Sequence, residues 1–214
     1  TPAKLAGLAA IVNGTYNEGA TIIGNPDYIV ANVGGGTIAG STNTTWIYGV
    51  DDFDGKTVKL TADLDMGGVY DNGTNIWSGP NYMPIGGQYC MTYQDGATLI
   101  GSSWNGIFDG QGHTVKNIYC SRHAGSLGFE YSQSVGLIGR LGIHDSDVAN
   151  GYNTLASPAV KNVAVTGYIY ANRSVGGIVG KNGKSIASLI ENCINYASVN
   201  NTDSKGVGGI AGAG

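Results

Sequence analysis

Apolar and polar residues alternate without a break in "KTVKLTADLDM", residues 56–66. Val58, Leu60, Ala62 and Leu64 fall on one side of an extended chain. Thr57, Lys59, Thr61, Asp63 and Asp65 fall on the other, since successive strand side chains point to opposite faces. The pattern predicts one continuous strand with a single buried face. A period of two returns in "VKNIYC" from Val115, "VKNVAV" from Val160 and "IENCIN" from Ile190. Further upstream, "YIVANV" and "GGGTIAG" read as strand and corner, so the first strands are placed in residues 28–66. Only the opening "TPAKLAGLAAIVNGT" has helical spacing. There Leu5, Leu8, Ala9 and Val12 share one face, Thr1 is the cap, Pro2 takes the first helical position and Gly14 closes the end. A helix over residues 1–14 is predicted as a cap on one end of a sheet stack.

Residues 67–104 fit neither period. They are irregular and aromatic, with Tyr70, Trp77, Tyr82, Tyr89, Tyr93 and Trp104. This stretch is read as an insertion packed over the main body.

Glycine-rich strands recur after the alternating ones. "SVGLIG" ends at Gly139, "VGGIVG" at Gly180 and "VGGIAG" at Gly212, at offsets of 41 and 32 residues. Each unit reads as strand, turn, second strand and glycine-rich third strand, a period typical of repeat architectures. Stacking such units in parallel brings equivalent residues to strand spacing, about 4.8 Å. Ile118, Val163 and Cys193 are expected to form one inward apolar column, and Leu137, Ile178 and Ile210 another. Cys193 then occupies a valine position in the core, and Cys120 faces the same way as Ile118.

Composition sharpens this picture. Among 214 residues, 37 are glycine and only 5 proline; charged residues are 12% and apolar ones 42%. Gly, Asn, Thr and Ser replace charge, which suits many corners between short strands and argues against disorder. A net charge of −4 and a pI near 5.1 offer nothing to nucleic acid or an anionic membrane. No apolar run approaches the roughly 20 residues of a membrane span. The chain opens at Thr1 and stops within a glycine-rich pattern, and is read as a processed chain or a fragment of a longer one. The three cysteines, Cys90, Cys120 and Cys193, are too few and too far apart for a disulfide framework, although a Cys90–Cys120 bridge stays open.

Candidate chemistry is sparse. Asp109 and His113, in "NGIFDGQGHTVKNI" (residues 105–118), read either as an acid–base pair or as the residues of a tight corner built on Gly110 and Gly112. The corner is favoured, because Asp bonds its own backbone in turns and Gly supplies positive φ. Asp63 and Asp65 lie roughly 6.6–7 Å apart along a strand. Carboxylate pairs at such spacing serve glycoside hydrolases, yet a solvent face carries them as readily. "DDFDG" (residues 51–55) lacks the ligand spacing of a calcium loop and is read as a solvated turn. "VGGIVGKNGKS" has Ile178 where a phosphate loop needs glycine. "GGGTIA" (residues 34–39) precedes no amphipathic helix, so the dinucleotide reading is set aside. His113, His123 and His144 have no metal spacing. The sequons at Asn13, Asn43, Asn72, Asn172 and Asn200 are expected by chance in a chain this rich in Asn and Thr. The best binding candidates are the six aromatics above, which either stack sugar rings or anchor a partner, or else cover the flank of the stack.

In order, "LAGLAAIVNG", "DFDGKTVKLTADLDMGG", "MPIGG", "NGIFDGQGHTVKNI" and the "VGGIVG" repeats cover nearly all of the chain. In this combination the sequence resembles the bacterial GLUG-motif proteins, named for repeats of the last kind. It departs from their pattern at Tyr82, where Trp is common, and in the long stretch 88–103. The resemblance implies a right-handed parallel β-helix or β-solenoid. It also implies secretion or display at the cell surface, as in adhesin-like chains and the N-terminal region of some streptococcal IgA-cleaving proteases. Such solenoids generally hold no catalytic site. The expectation is therefore one all-β solenoid domain over 1–214, with a capping helix (1–14), first strands (28–66), aromatic insertion (67–104) and repeats (105–214). It needs no cofactor or metal and acts as spacer, adhesion or assembly module. Its expected partners are further repeats or copies at the C-terminal edge, or a host or cell-surface glycan or protein. The alternative is a carbohydrate-binding or polysaccharide-degrading β-helix protein.

Overall fold

The computed structural model describes residues 1–13, 16–17, 45–46, 52–86, 103–122, 134–142, 157–171, 173–183, 187–201 and 206–213. Helix α1 (Pro2–Asn13) buries Leu5, Leu8, Ala9 and Val12, the face that the 3–4 spacing marks. Thr1 caps it by accepting from the Lys4 backbone N–H. Asn13 ties its far end to the Pro84 carbonyl at 2.8 Å. A short antiparallel pair, β1 (Tyr16–Asn17) and β2 (Thr45–Trp46), follows.

From residue 52 the chain makes four passes. The first holds β3 (Thr57–Lys59), β4 (Leu64–Asp65) and the hairpin β5 (Val69–Asp71) and β6 (Ile76–Ser78). The second holds β7 (Ile107–Asp109), β8 (Thr114–Arg122), β9 (Ser134–Val135) and β10 (Ile138–Leu141). The third repeats it with β11 (Ala159–Lys161), β12 (Ala164–Ala171), β13 (Ser174–Gly176) and β14 (Val179–Asn182). The fourth holds β15 (Leu189–Glu191), β16 (Ile194–Asn195), β17 (Ser198–Asn201), β18 (Val207–Gly208) and β19 (Ala211–Ala213).

Equivalent strands of successive passes pair in parallel, giving sheets β3-β7-β11-β15, β4-β8-β12-β16/β17, β9-β13-β18 and β10-β14-β19. The described residues are therefore mostly β-strands in parallel sheets, with one short N-terminal helix, an all-β arrangement. No helix among the described residues is long and apolar enough to cross a membrane.

Register sets the core. Val58, Phe108, Val160 and Ile190 lie in one row across the first sheet. Cys120, Ile169 and Val199 form another across the second. Ile138, Val179 and Ala211 pair directly, which brings their neighbours Leu137, Ile178 and Ile210 into the expected column. Leu137 and Ile178 are fully buried. Ile118 and Cys120 do face the same way, both inward.

Three expectations are corrected. The Ile118–Val163–Cys193 column does not form. Val163 and Cys193 are in register, between the pairs Lys161↔Glu191 and Ala164↔Ile194, but Ile118 lies opposite Gly167. The look-alike "VKNI" and "VKNV" belong to different places, because Phe108, in the strand just before "VKNI", already pairs with Val160. A bulge at Asn117 (φ 55°), whose N–H donates to Thr166 Oγ1 at 3.0 Å, adds a residue to β8. Gly167 makes the bulge possible: a Cβ there would run into the Ile118 backbone.

Second, residues 56–66 form two strands rather than one. The chain turns between two sheets at residues 60–63, so Leu60 and Leu64 are buried while Ala62 is exposed. Third, residues 67–104 are only partly an insertion. Residues 69–78 form the hairpin, but Asn81, Ile85 and Trp104 bridge in parallel to Tyr119, Ile138 and Leu141 and so belong to the main body.

Candidate functional site

The Asp109 corner shows how the turns are made. Asp109 is 5% exposed at the end of β7. Its carboxylate accepts from the Gln111 N–H at 3.1 Å, from the Gln111 side-chain amide, and from Asn162 Nδ2 at 3.0 Å; Lys161 Nζ stands 4.0 Å away. Gln111 and Gly112 both take positive φ, 53° and 84°. Burial opposes ionisation, but the Asn162 and Gln111 bonds and the Lys161 charge outweigh it and hold the carboxyl below its usual range. His113 turns elsewhere, its Nδ1 3.3 Å from Asp63 Oδ1. The sequence pair Asp109/His113 thus splits between two different contacts.

Asp63 and Asp65 link the first pass to the second. Asp63 meets Lys116 Nζ at 2.7 Å and accepts the Thr114 N–H at 3.0 Å. The Lys116 bond, then the Thr114 N–H, lower its carboxyl to about 2. Asp65 accepts from the Gly67 N–H at 2.9 Å and from Asn117 Nδ2 at 3.0 and 3.1 Å, which lower it as well. Both are acceptors held ionised, the opposite of what a proton-donating acid requires. Asp52 is likewise engaged, by the Asp54 N–H at 3.1 Å and Asn105 Nδ2 at 2.8 Å. Among the described residues no three His, Cys, Asp or Glu side chains converge as metal ligands. His123, His144, Cys90 and residues 34–39 lie outside the described residues. The "VGGIVGKN" stretch is strand β13, a bend and strand β14, with Lys181 paired to Arg140.

The six candidate aromatics divide. Tyr82 is 4% exposed and donates its hydroxyl to the Leu137 carbonyl at 2.9 Å. Burial pushes its phenol far up. Trp104 is fully buried, stacked on Phe53 at 5.1 Å and edge-on to Phe108 at 6.3 Å. Both are core residues, a correction to their surface assignment: each lies in a segment that bridges to the next pass. Tyr89 and Tyr93 lie outside the described residues. Tyr70 and Trp77 do sit outside the core, paired across the hairpin with rings 5.5 Å apart.

These two begin a longer row that sequence reasoning missed. Trp77 stacks on Tyr168 (6.4 Å, 17°), and Tyr168 on Tyr119 (6.4 Å, 20°) and Tyr170 (6.2 Å, 14°). Strand β12 alternates half-buried and buried along its whole length, so Tyr168 and Tyr170 share its outer face. Tyr119 lies opposite Tyr168 in the neighbouring strand. The hairpin reaches the row because Gly68 packs on Asn117 without room for a Cβ. Its turn is fixed by Asp71, which accepts from the Gly73 N–H at 2.8 Å and Thr74 Oγ1 at 2.9 Å. The signal was present in "NIYC" and "TGYIYAN", where aromatic residues occupy the outward positions.

The other exposed feature is the fourth pass. Leu189, Ile194, Tyr196 and Val207 are 49–70% exposed, and the inward residues Ile190, Cys193, Val199 and Ile210 are only partly buried. The first pass is mixed: Leu60 and Leu64 are 8% and 7% exposed, Val58 is partly buried, and Val69 and Ile76 of its hairpin are 59% and 60% exposed. Among the described residues the last strands are paired on one side only.

The chain is similar to halomucin from Haloquadratum walsbyi, 27% identical over 132 residues that make up 58% of this chain. The chain spans about 1% of that protein's length. No protein-family profile and no solved structure matches it.

Proposed function

We propose that this chain is a noncatalytic structural module of a secreted or cell-surface protein: a right-handed parallel β-solenoid of the kind its resemblance to GLUG-motif proteins implies. The observation that carries this reading is the use made of the polar residues. Asp52, Asp63, Asp65 and Asp109 are spent on corners and on contacts between passes, and the one described histidine that meets them, His113 on Asp63, shares with Lys116 a contact that holds the carboxylate ionised. The parallel pairing of each pass with the next supports the solenoid. The strong preference of parallel crossovers for the right hand supports its handedness. The partial similarity to halomucin favours a place outside the cell. Incubation with neutral and acidic polysaccharides, read by reducing-end release, should give no product. Turnover that disappears in Asp63→Asn or Asp65→Asn would replace this reading with an enzyme.

The outer aromatic row favours a second reading, a glycan-contacting face. Near-parallel rings on a rigid sheet suit the apolar faces of sugars. A glycan array should then give hits with the native chain that Trp77→Ala loses. No binding anywhere on the array removes this reading and leaves the row as cover for the sheet.

A further inference from the structure

The corners of successive passes are joined by a line of side-chain amides with a fixed direction. Lys59, Asp109, Lys161 and Glu191 are in register, so the residues that follow them, Leu60, Gly110, Asn162 and Asn192, occupy one corner position. Asn162 and Asn192 both take the left-handed conformation, at φ 55° and 50°. Asn162 Nδ2 donates to Asp109 Oδ1 at 3.0 Å, and Asn192 Nδ2 donates to Asn162 Oδ1 at 3.2 Å. The carboxylate fixes the direction. An ionised Asp109 only accepts, so Asn162 must offer it the NH2 and keep its oxygen for the next pass. Asn192 must in turn give its NH2 to Asn162. Its Oδ1 is left on an exposed residue, and no described residue donates to it.

We infer that Asn192 is the register key of an open edge, which receives a further parallel pass of the same polypeptide with an asparagine at this corner. This rests on the solenoid reading above and names the partner that continues it. The surroundings specify the rest of the pattern. Ile190, two residues earlier, and Cys193, one later, are partly buried and await apolar neighbours such as those Val160 and Val163 already have. The unit that fits therefore carries apolar–any–Asn–apolar, as in Val160–Val163 and Ile190–Cys193. A second copy does not fit head to tail. Its first pass would set Leu60, 8% exposed and without a donor, against Asn192 Oδ1. Asn195, nearby, offers no comparable acceptor, because its Oδ1 already takes the Ala197 N–H at 2.9 Å.

The test is a chain extended after Gly214 by a second copy of residues 187–213, followed by amide hydrogen exchange. Protection of the amides in β15–β19 should rise by roughly tenfold or more over the unextended chain, since their edge becomes an interior. Placing Leu at the corner of the appended pass, or making Asn192→Leu, should remove most of that gain. Protection in β7 and β8 reports that the rest of the molecule is folded in each variant. An equal gain with leucine at the corner, or no gain from the extension, overturns the inference. So does concentration-dependent protection of β15–β19 in the unextended chain, which would make a second copy the occupant. The polysaccharide assay above is independent of all these outcomes, so failure here leaves the noncatalytic reading standing.

Discussion

Asp63 shows how much work a single exposed carboxylate does when it faces another pass. Lys116 and the Thr114 N–H favour its charged form, and they exist only when the two passes are paired. Its folded value of about 2 lies below the ordinary 3.8. A depressed carboxylate contributes stability that is complete above its ordinary value and is lost as pH falls through its folded one. Thermal melts between pH 5 and about 2 should therefore show a steep decline, with Asp65 and Asp109, lowered in the same direction, adding to it. Asp63→Asn keeps an acceptor for Thr114 but no charge, so it should flatten part of that decline. A melting profile for Asp63→Asn parallel to that of the native chain below pH 4 would show that the contact carries no proton linkage. Tyr82 makes the opposite point. Its ring is an apolar filler and its hydroxyl serves one buried carbonyl, so Tyr82→Phe should cost about 1–2 kcal/mol in a denaturant titration.

Strands were legible wherever alternation reported burial, and misread wherever a corner or bulge changed its phase. Residues 56–66 alternate as one strand because the turn at 60–63 happens to preserve the buried positions of Leu60 and Leu64. The repeat "VKNI"/"VKNV" suggested a column that register forbids. Identical letters report local conformation, in both cases an asparagine near φ 55°, while partners are chosen by the strand before. Tyr82 and Trp104 looked like surface aromatics because their neighbours are irregular; isolated bridges, invisible to periodicity, place them inside. The outward row of Tyr119, Tyr168 and Tyr170 follows from the same period of two, on the half of each strand that core-facing residues do not mark. The bulge gives this scale its prediction. Gly167 has φ 126° and faces the Ile118 backbone with no room for a Cβ. Gly167→Ala should cost roughly 3 kcal/mol, combining backbone strain with overpacking. The same change at Gly112, also at positive φ but with open space around it, should cost only the backbone share, about 1–2 kcal/mol. Equal costs at the two sites would mean that the β8–β12 bulge is not tightly packed.

At the scale of the molecule, each described pass is bound only to its neighbours in the stack, two for the inner passes and one for the first and fourth, so stability should depend on position. Where units interact only with neighbours, the whole is approximately a sum of unit and interface contributions. The row Val58, Phe108, Val160 and Ile190 samples all four passes at one equivalent place. Phe108 and Val160 are fully buried with a pass on either side, whereas Ile190 is partly buried with a pass on one side only. Phe108→Ala should therefore cost about 3–5 kcal/mol, the range for a large buried side chain whose cavity cannot close. Ile190→Ala should cost about 1 kcal/mol, because much of its surface meets water already. Hydrogen exchange should show the same gradient. The amides of β15–β19 should open by local unfolding well below the global free energy, and those of β7, β8 and β12 near it. Truncation at Ile190 as costly as at Phe108, with uniform exchange across the passes, would mean that the fourth pass is sealed in solution. The edge around Asn192 would then already be occupied by something other than the pass its amide line calls for.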